Sequence, residues 1–141
     1  QRYRAVLKEN GHPAKRTTFI FFMFVDQDHE VALREGREVT GAYAHRTTQF
    51  LASAEQEKLP KTHPLAQFLT LVRSMPDHLE ERAVVGTPAE CRRRLHELDD
   101  EFGLDQVAFY FHAGARDPKR ARQSMELFAQ EVMPEFTEGR G

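Results

Sequence analysis

The chain has 141 residues, room for one domain and hardly two. Its 40% hydrophobic and 30% charged residues exclude global disorder, and a net charge of −2 lacks the basic excess of a dedicated nucleic-acid binder. A single cysteine, Cys91, excludes an internal disulfide framework and a multi-cysteine zinc site, and fits a reducing, cytoplasmic setting.

Gln1 leads straight into helical sequence from Arg2 to Asn10, as the later part of a longer chain would. Gly11 suits a left-handed helix end, and Pro13 prevents continuation. Thr17–Val25 is nearly unbroken apolar sequence, rich in aromatic and β-branched residues. Lack of alternation predicts a strand buried on both faces, as in a parallel sheet covered by helices. Its strongly apolar part, Phe19–Val25, is too short to cross a bilayer, so no membrane partner is expected. Asp26 and Asp28 offer N-caps for a helix over His29–Ala54. Its expected buried residues are Val31, Ala32, Val39, Ala42, Tyr43, Phe50 and Leu51, with a bend or break at Gly36 or Gly41.

Residues 55–82 read as an irregular helical insertion punctuated by Pro60, Pro64 and Pro76. A short amphipathic helix between the last two places Leu65, Phe68, Leu69 and Val72 on one face. Ala83–Val85 is a short strand. Thr87, Pro88 and Glu90 then form a capping box with proline at the first helical position. The helix carries one apolar stripe, Cys91, Leu95, Leu98 and Phe102, and Gly103 closes it. Val107–His112 is a further buried strand, and Asp117 and Pro118 open a last helix. That helix has the stripe Ala121, Met125, Phe128 and Val132, ends at Pro134 and leaves a loose tail from Thr137. The order α, β, α, α, β, α, β, α predicts an α/β fold of parallel strands alternating with helices. Three such units leave sheet edges open, and they match about three-eighths of an enlarged (β/α)₈ barrel.

The residues support a resemblance. Ala83-Val84-Val85-Gly86-Thr87-Pro88-Ala89-Glu90-Cys91, then Leu95-His96-Glu97-Leu98, Gly103–Val107, Phe109–His112 and Arg122–Phe136, resemble the C-terminal part of the bacterial luciferase-like flavin-dependent monooxygenases. The resemblance is strongest over 83–136, looser over 1–54 and absent over 55–82. It implies that residues 1–141 form a single partial luciferase-like TIM-barrel domain, its strands six to eight. It implies reduced FMN, supplied by a partner flavin reductase, reacting with O₂ to oxidise a small organic substrate. A related branch uses a deazaflavin and transfers hydride. The family is often dimeric, which implies a homodimer. Most of the family's flavin contacts lie in the first five units.

Against that background, Gly86 and Thr87 sit at a strand end and a helix N-terminus, a place that favours phosphate; capping alone also accounts for them. His112 ends the last strand, where it is placed to contact flavin or to act as acid or base; a structural, hydrogen-bonded histidine fits equally. Gly114 and Arg116 follow on the same loop, Arg116 as a phosphate partner or, more simply, a solvated surface arginine. Phe22 and Phe24 share one strand face and would line a substrate pocket or pack the core. Cys91 reads as inert core. The seven histidines show no zincin spacing, so no metal site is expected.

The leading expectation is therefore a flavin-dependent oxidoreductase represented by its C-terminal part. The alternative is a non-catalytic partial-barrel module that dimerises through its open sheet edges. A small unrelated α/β sensor domain, marked by antiparallel strand pairs, stands third.

Overall fold

A computed structural model describes residues 2–13, 16–51, 59–113 and 116–137. The elements are α1 (Arg2–Glu9), β1 (Thr18–Val25), α2 (His29–Leu51), α3 (Pro64–Arg73), α4 (Leu79–Arg82), β2 (Ala83–Gly86), α5 (Pro88–Phe102), β3 (Gln106–Tyr110), α6 (Pro118–Glu131) and α7 (Met133–Thr137). The strands form one parallel sheet in the order β2-β1-β3. The α/β class, with parallel strands alternating with helices, is the expected one.

Adjacent barrel staves would run in chain order with every helix outside. Here β1 is central, so the chain leaves it in one direction and returns past it in the other. Crossovers of constant hand then put their helices on opposite faces. Phe24, Ala83 and Val85 accordingly pack with Ala32, Leu33 and Val39 of α2 and Leu79 of α4. Met23, Val25 and Val84 pack on the other face with Cys91, Leu95 and Leu98 of α5 and with Val132.

Both faces are covered only at the C-terminal half of β1. β2 pairs with Phe22–Val25, whereas β3 pairs with Thr18–Phe22. The N-terminal half of β1 is therefore more open than its apolar run suggests, and Ile20 is 61% exposed. β3 stops at Tyr110 rather than His112 and alternates between exposed and half-buried residues, so it is not a fully buried strand.

Several local readings change on contact with tertiary structure. α2 runs unbroken through both glycines because Gly36 is a packing site: a Cβ there would lie 2.6 Å from Leu79 Cδ2 and 3.0 Å from Phe24 Cδ2. Phe50, expected inside, is 89% exposed near the end of the helix. Residues 52–54 of the expected helix, and 55–58 of the insertion, lie outside the described residues. The rest of the insertion is ordered into α3 and α4, and α3 buries Leu69 and Val72 but leaves Phe68 exposed. On α6 it is Ser124, not Met125, that faces the core, because its hydroxyl accepts the N–H of Val25 at 3.0 Å. Pro134 does not end the helical path; it sits inside α7, where its missing N–H costs nothing in the first turn. The capping box at Thr87 and Glu90 and the left-handed Gly103 (φ 61°) form as the sequence dictates.

Candidate functional site

In parallel α/β sheets chemistry collects at the carboxyl ends of the strands. Two polar clusters stand there, one around Glu90 and one around Glu35.

The first cluster begins with Gly86, whose φ of +131° needs glycine. A Cβ at this position would meet Glu90 Oε2 at 2.5 Å, so glycine also clears the path by which the carboxylate folds back over the strand end. Glu90 Oε2 accepts the Thr87 N–H at 2.8 Å and the Thr87 hydroxyl at 2.9 Å. It also meets His29 Nδ1 at 3.1 Å. His29 is brought there by Asp28, whose Oδ1 accepts the N–H groups of Glu30 and Val31 and starts α2 beside the end of β2. The Thr87 N–H is the main cause holding the Glu90 carboxyl below its ordinary range, helped by His29 against partial burial. The hydrogen bond to Glu90 raises His29 above its ordinary value, opposed by burial and helped by the charges of Glu90, Glu30 and Glu80. With Nδ1 engaged by a carboxylate, Nε2 is the nitrogen left to take or give a proton. A cavity of about 180 Å³ opens beside the pair, lined also by Glu80, Arg93, Arg94 and Glu97.

The second cluster closes the ends of β1 and β3. Arg116 is a buried strut, not a solvated surface residue, with its side chain 1% exposed. Its guanidinium grips Glu35 of α2 through two parallel bonds of 2.9 Å, and its Nη1 donates to the carbonyls of Met23 (3.3 Å) and Phe111 (2.7 Å). Its cationic carbon stands 5.1 Å from the Phe24 ring centroid. Arg120 adds bonds to Asp26 at 2.9 Å and an ion pair to Glu35 at 3.6 Å.

The expected site residues sort accordingly. Gly86 and Thr87 meet at the first cluster, but the anion at that helix start is the chain's own Glu90. Because the Thr87 N–H and hydroxyl both turn onto Glu90, they do not fit a flavin phosphate. Arg116 is likewise committed to Glu35 and two carbonyls. His112 lies in the loop beyond β3, exposed to solvent. Gly114 lies outside the described residues. Phe24 is core, fully buried between α2 and the sheet. Phe22 is half-buried and meets Tyr43 and Tyr110 at 5.2 and 5.8 Å between ring centroids. Among the described residues no group of three or more His, Cys, Asp or Glu is arranged to hold a metal ion, and no helix is long and apolar enough to cross a membrane.

Sequence reasoning missed His29 and Glu35. The only signal for His29 was its place directly after a strand-end helix cap. Glu35 and Arg116 are 81 residues apart, and nothing local links them.

The sequence profile of the luciferase-like monooxygenase family matches residues 1–106. This chain belongs to that family. The matched span includes 55–82, where the residues themselves show no likeness, and stops before the Arg122–Phe136 run that carries part of the resemblance. The family assignment therefore rests on the first three-quarters of the chain. A crystal structure of the monooxygenase RslO1 from Streptomyces bottropensis is similar in fold, with a TM-score of 0.59 at 20% identity over 96% of this luciferase-like chain. The chain spans 36% of that monooxygenase's length. No curated protein matches it.

Proposed function

We propose that the protein works as a flavin-dependent monooxygenase that oxidises a small organic substrate with O₂ and reduced FMN delivered by a flavin reductase. Membership of the luciferase-like monooxygenase family supports the reaction class. The observation that carries this chain's share of it is the His29–Glu90–Thr87 cluster at the carboxyl ends of β1 and β2. There His29 Nε2 exchanges a proton with whatever occupies the adjoining cavity, Glu90 fixes the ring, and Thr87 fixes Glu90. The flavin phosphate is left to residues other than Thr87 and Arg116.

The test is stopped-flow mixing of protein and reduced FMN with O₂. Protein-dependent reoxidation, with a pH profile that changes in His29→Gln, is expected. Reoxidation indistinguishable from that of free FMN at every pH overturns the reading. Capture of a reduced deazaflavin but not FMN moves the assignment to the hydride-transferring branch.

One observation favours a second reading, a module that self-associates. Ile20 and Tyr110, 61% and 54% exposed, lie on adjacent strands beside the open edge formed by β3. Sedimentation equilibrium decides it: a dimer dispersed by Tyr110→Lys supports the module, and a monomer at all concentrations overturns it.

A further inference from the structure

A cavity of about 350 Å³ lies between α5, β3, α6 and α7, at the amino end of β3 and so at the opposite end of the sheet from the Glu90 cluster. Leu95, Leu104, Val107, Phe109, Phe128 and Phe136 form most of its surface. Neighbours hold the phenylalanine rings in place. Phe109 meets Phe128 edge to face at 5.1 Å, Phe111 braces Phe128 at 5.5 Å, and the Phe136 ring lies 4.8 Å from His96. α7 roofs the space and is pinned to α5, since Glu135 bonds His96 and pairs with Arg92 at 3.1 Å. A fixed, mostly apolar hollow of this volume has the attributes of a small-molecule site. At ~30 Å³ for each water-sized group, it takes about a dozen heavy atoms.

The polar groups say what kind of molecule fits. Two carboxylates line the cavity among the described residues, and both are already engaged. Asp105 pairs with Arg4 at 2.6 Å and accepts the Thr17 N–H at 3.0 Å. Asp99 accepts the Leu104 N–H at 2.8 Å and is held by a further contact. The Thr137 hydroxyl donates to the Met133 carbonyl at 3.2 Å. None of these groups calls for an ion of either sign, and burying an unpaired charge against phenylalanine rings is costly. Gln106 differs. Its carbonyl oxygen accepts the Thr18 hydroxyl at 3.2 Å, which leaves its amide N–H₂ as a donor at the cavity wall. The edges and faces of the phenylalanines favour a further aromatic ring beside them.

We propose that this cavity binds an uncharged aromatic molecule of two rings, its skeleton packed on Phe109, Phe128 and Phe136 under α7 and its hydrogen-bond acceptor against the Gln106 amide. The site does not depend on the flavin reading. Matched probes test it, titrated while the methyl signal of Met133 in the cavity wall is followed by NMR: 2-acetylnaphthalene, its decahydro analogue, 2-naphthoate and 2-naphthylmethylammonium. The aromatic ketone shifts the signal and saturates. Each ion binds about tenfold more weakly, because its charge leaves water without a partner. The saturated ketone binds about threefold more weakly, having lost the ring–ring contacts. Gln106→Met lowers affinity for the aromatic ketone about threefold and leaves that for 2-ethylnaphthalene unchanged. Val107→Phe fills the cavity and abolishes binding; if that variant fails to fold, Thr137→Trp blocks the mouth from an exposed position and gives the same loss. No saturable binding of the aromatic ketone overturns the site, and so does undiminished binding in a folded, cavity-filled variant. Either ion binding as tightly as the ketone overturns an uncharged ligand, the decahydro analogue doing so overturns an aromatic one, and an indifferent Gln106→Met overturns the polar contact.

Discussion

His29 and Glu90 shift in opposite directions, and together they give the fold a pH window. The raised His29 contributes stability fully below its ordinary value of 6.5 and loses that contribution as pH rises through its folded value. The lowered Glu90 contributes fully above its ordinary value of 4.5 and loses that as pH falls through its folded value. The pair therefore stabilises most between these ordinary values. Thermal melts across pH are expected to show the alkaline loss in the native chain and to lack it in His29→Gln. Cys91 carries a second residue-scale prediction. Burial pushes its thiol up to about 12, so it stays a thiol at neutral pH. A chromogenic disulfide reagent is expected to label it at the rate of global unfolding and no faster; rapid labelling of native protein would contradict its buried placement. The inert cysteine was legible in the sequence because it falls on an apolar helical stripe. The His29–Glu90 contact was not, because it joins the starts of two helices 61 residues apart.

Among the elements, α2 is held at two points. Gly36 lets it approach the sheet closely enough to touch Phe24 and Leu79. Alanine is the better helix former by about 1 kcal/mol, but overpacking a filled core costs about 1–3 kcal/mol. Gly36→Ala is expected to destabilise by up to about 2 kcal/mol in urea unfolding, and a gain in stability would show that the contact yields. The other point is the Glu35–Arg116 pair. Removing one partner of a buried pair costs about 3–5 kcal/mol, so Glu35→Ala should fall near about 3 kcal/mol. The apolar double replacement Glu35→Leu with Arg116→Met should recover much of that loss. Helix positions were readable here because caps and periodicity are local. The placement of Arg116 was misread as solvated because its partner lies on a distant element. The choice of Ser124 over Met125 on α6 likewise depends on an unsatisfied N–H at the end of β1, which a helical pattern does not reveal.

For the molecule as a whole, composition and alternation of elements were enough for the α/β class and the parallel sheet. Strand order was not, since nothing in Thr18–Val25 says which neighbour lies on which side. That order has a consequence in time. β1 is paired by β2 along one half and by β3 along the other, and the first β1–β3 partners, Thr18 and Gln106, are 88 residues apart. Loop-closure entropy opposes such a contact until the intervening chain has collapsed, and topologies rich in distant pairings fold slowly. Docking of β3 should come late, so substitutions at Ala108 ought to speed unfolding while scarcely altering the refolding limb of a chevron. Substitutions at Val84, whose strand reaches β1 earlier in the chain, ought to slow refolding instead. The central strand and β2 would thus form the nucleus on which β3 assembles last.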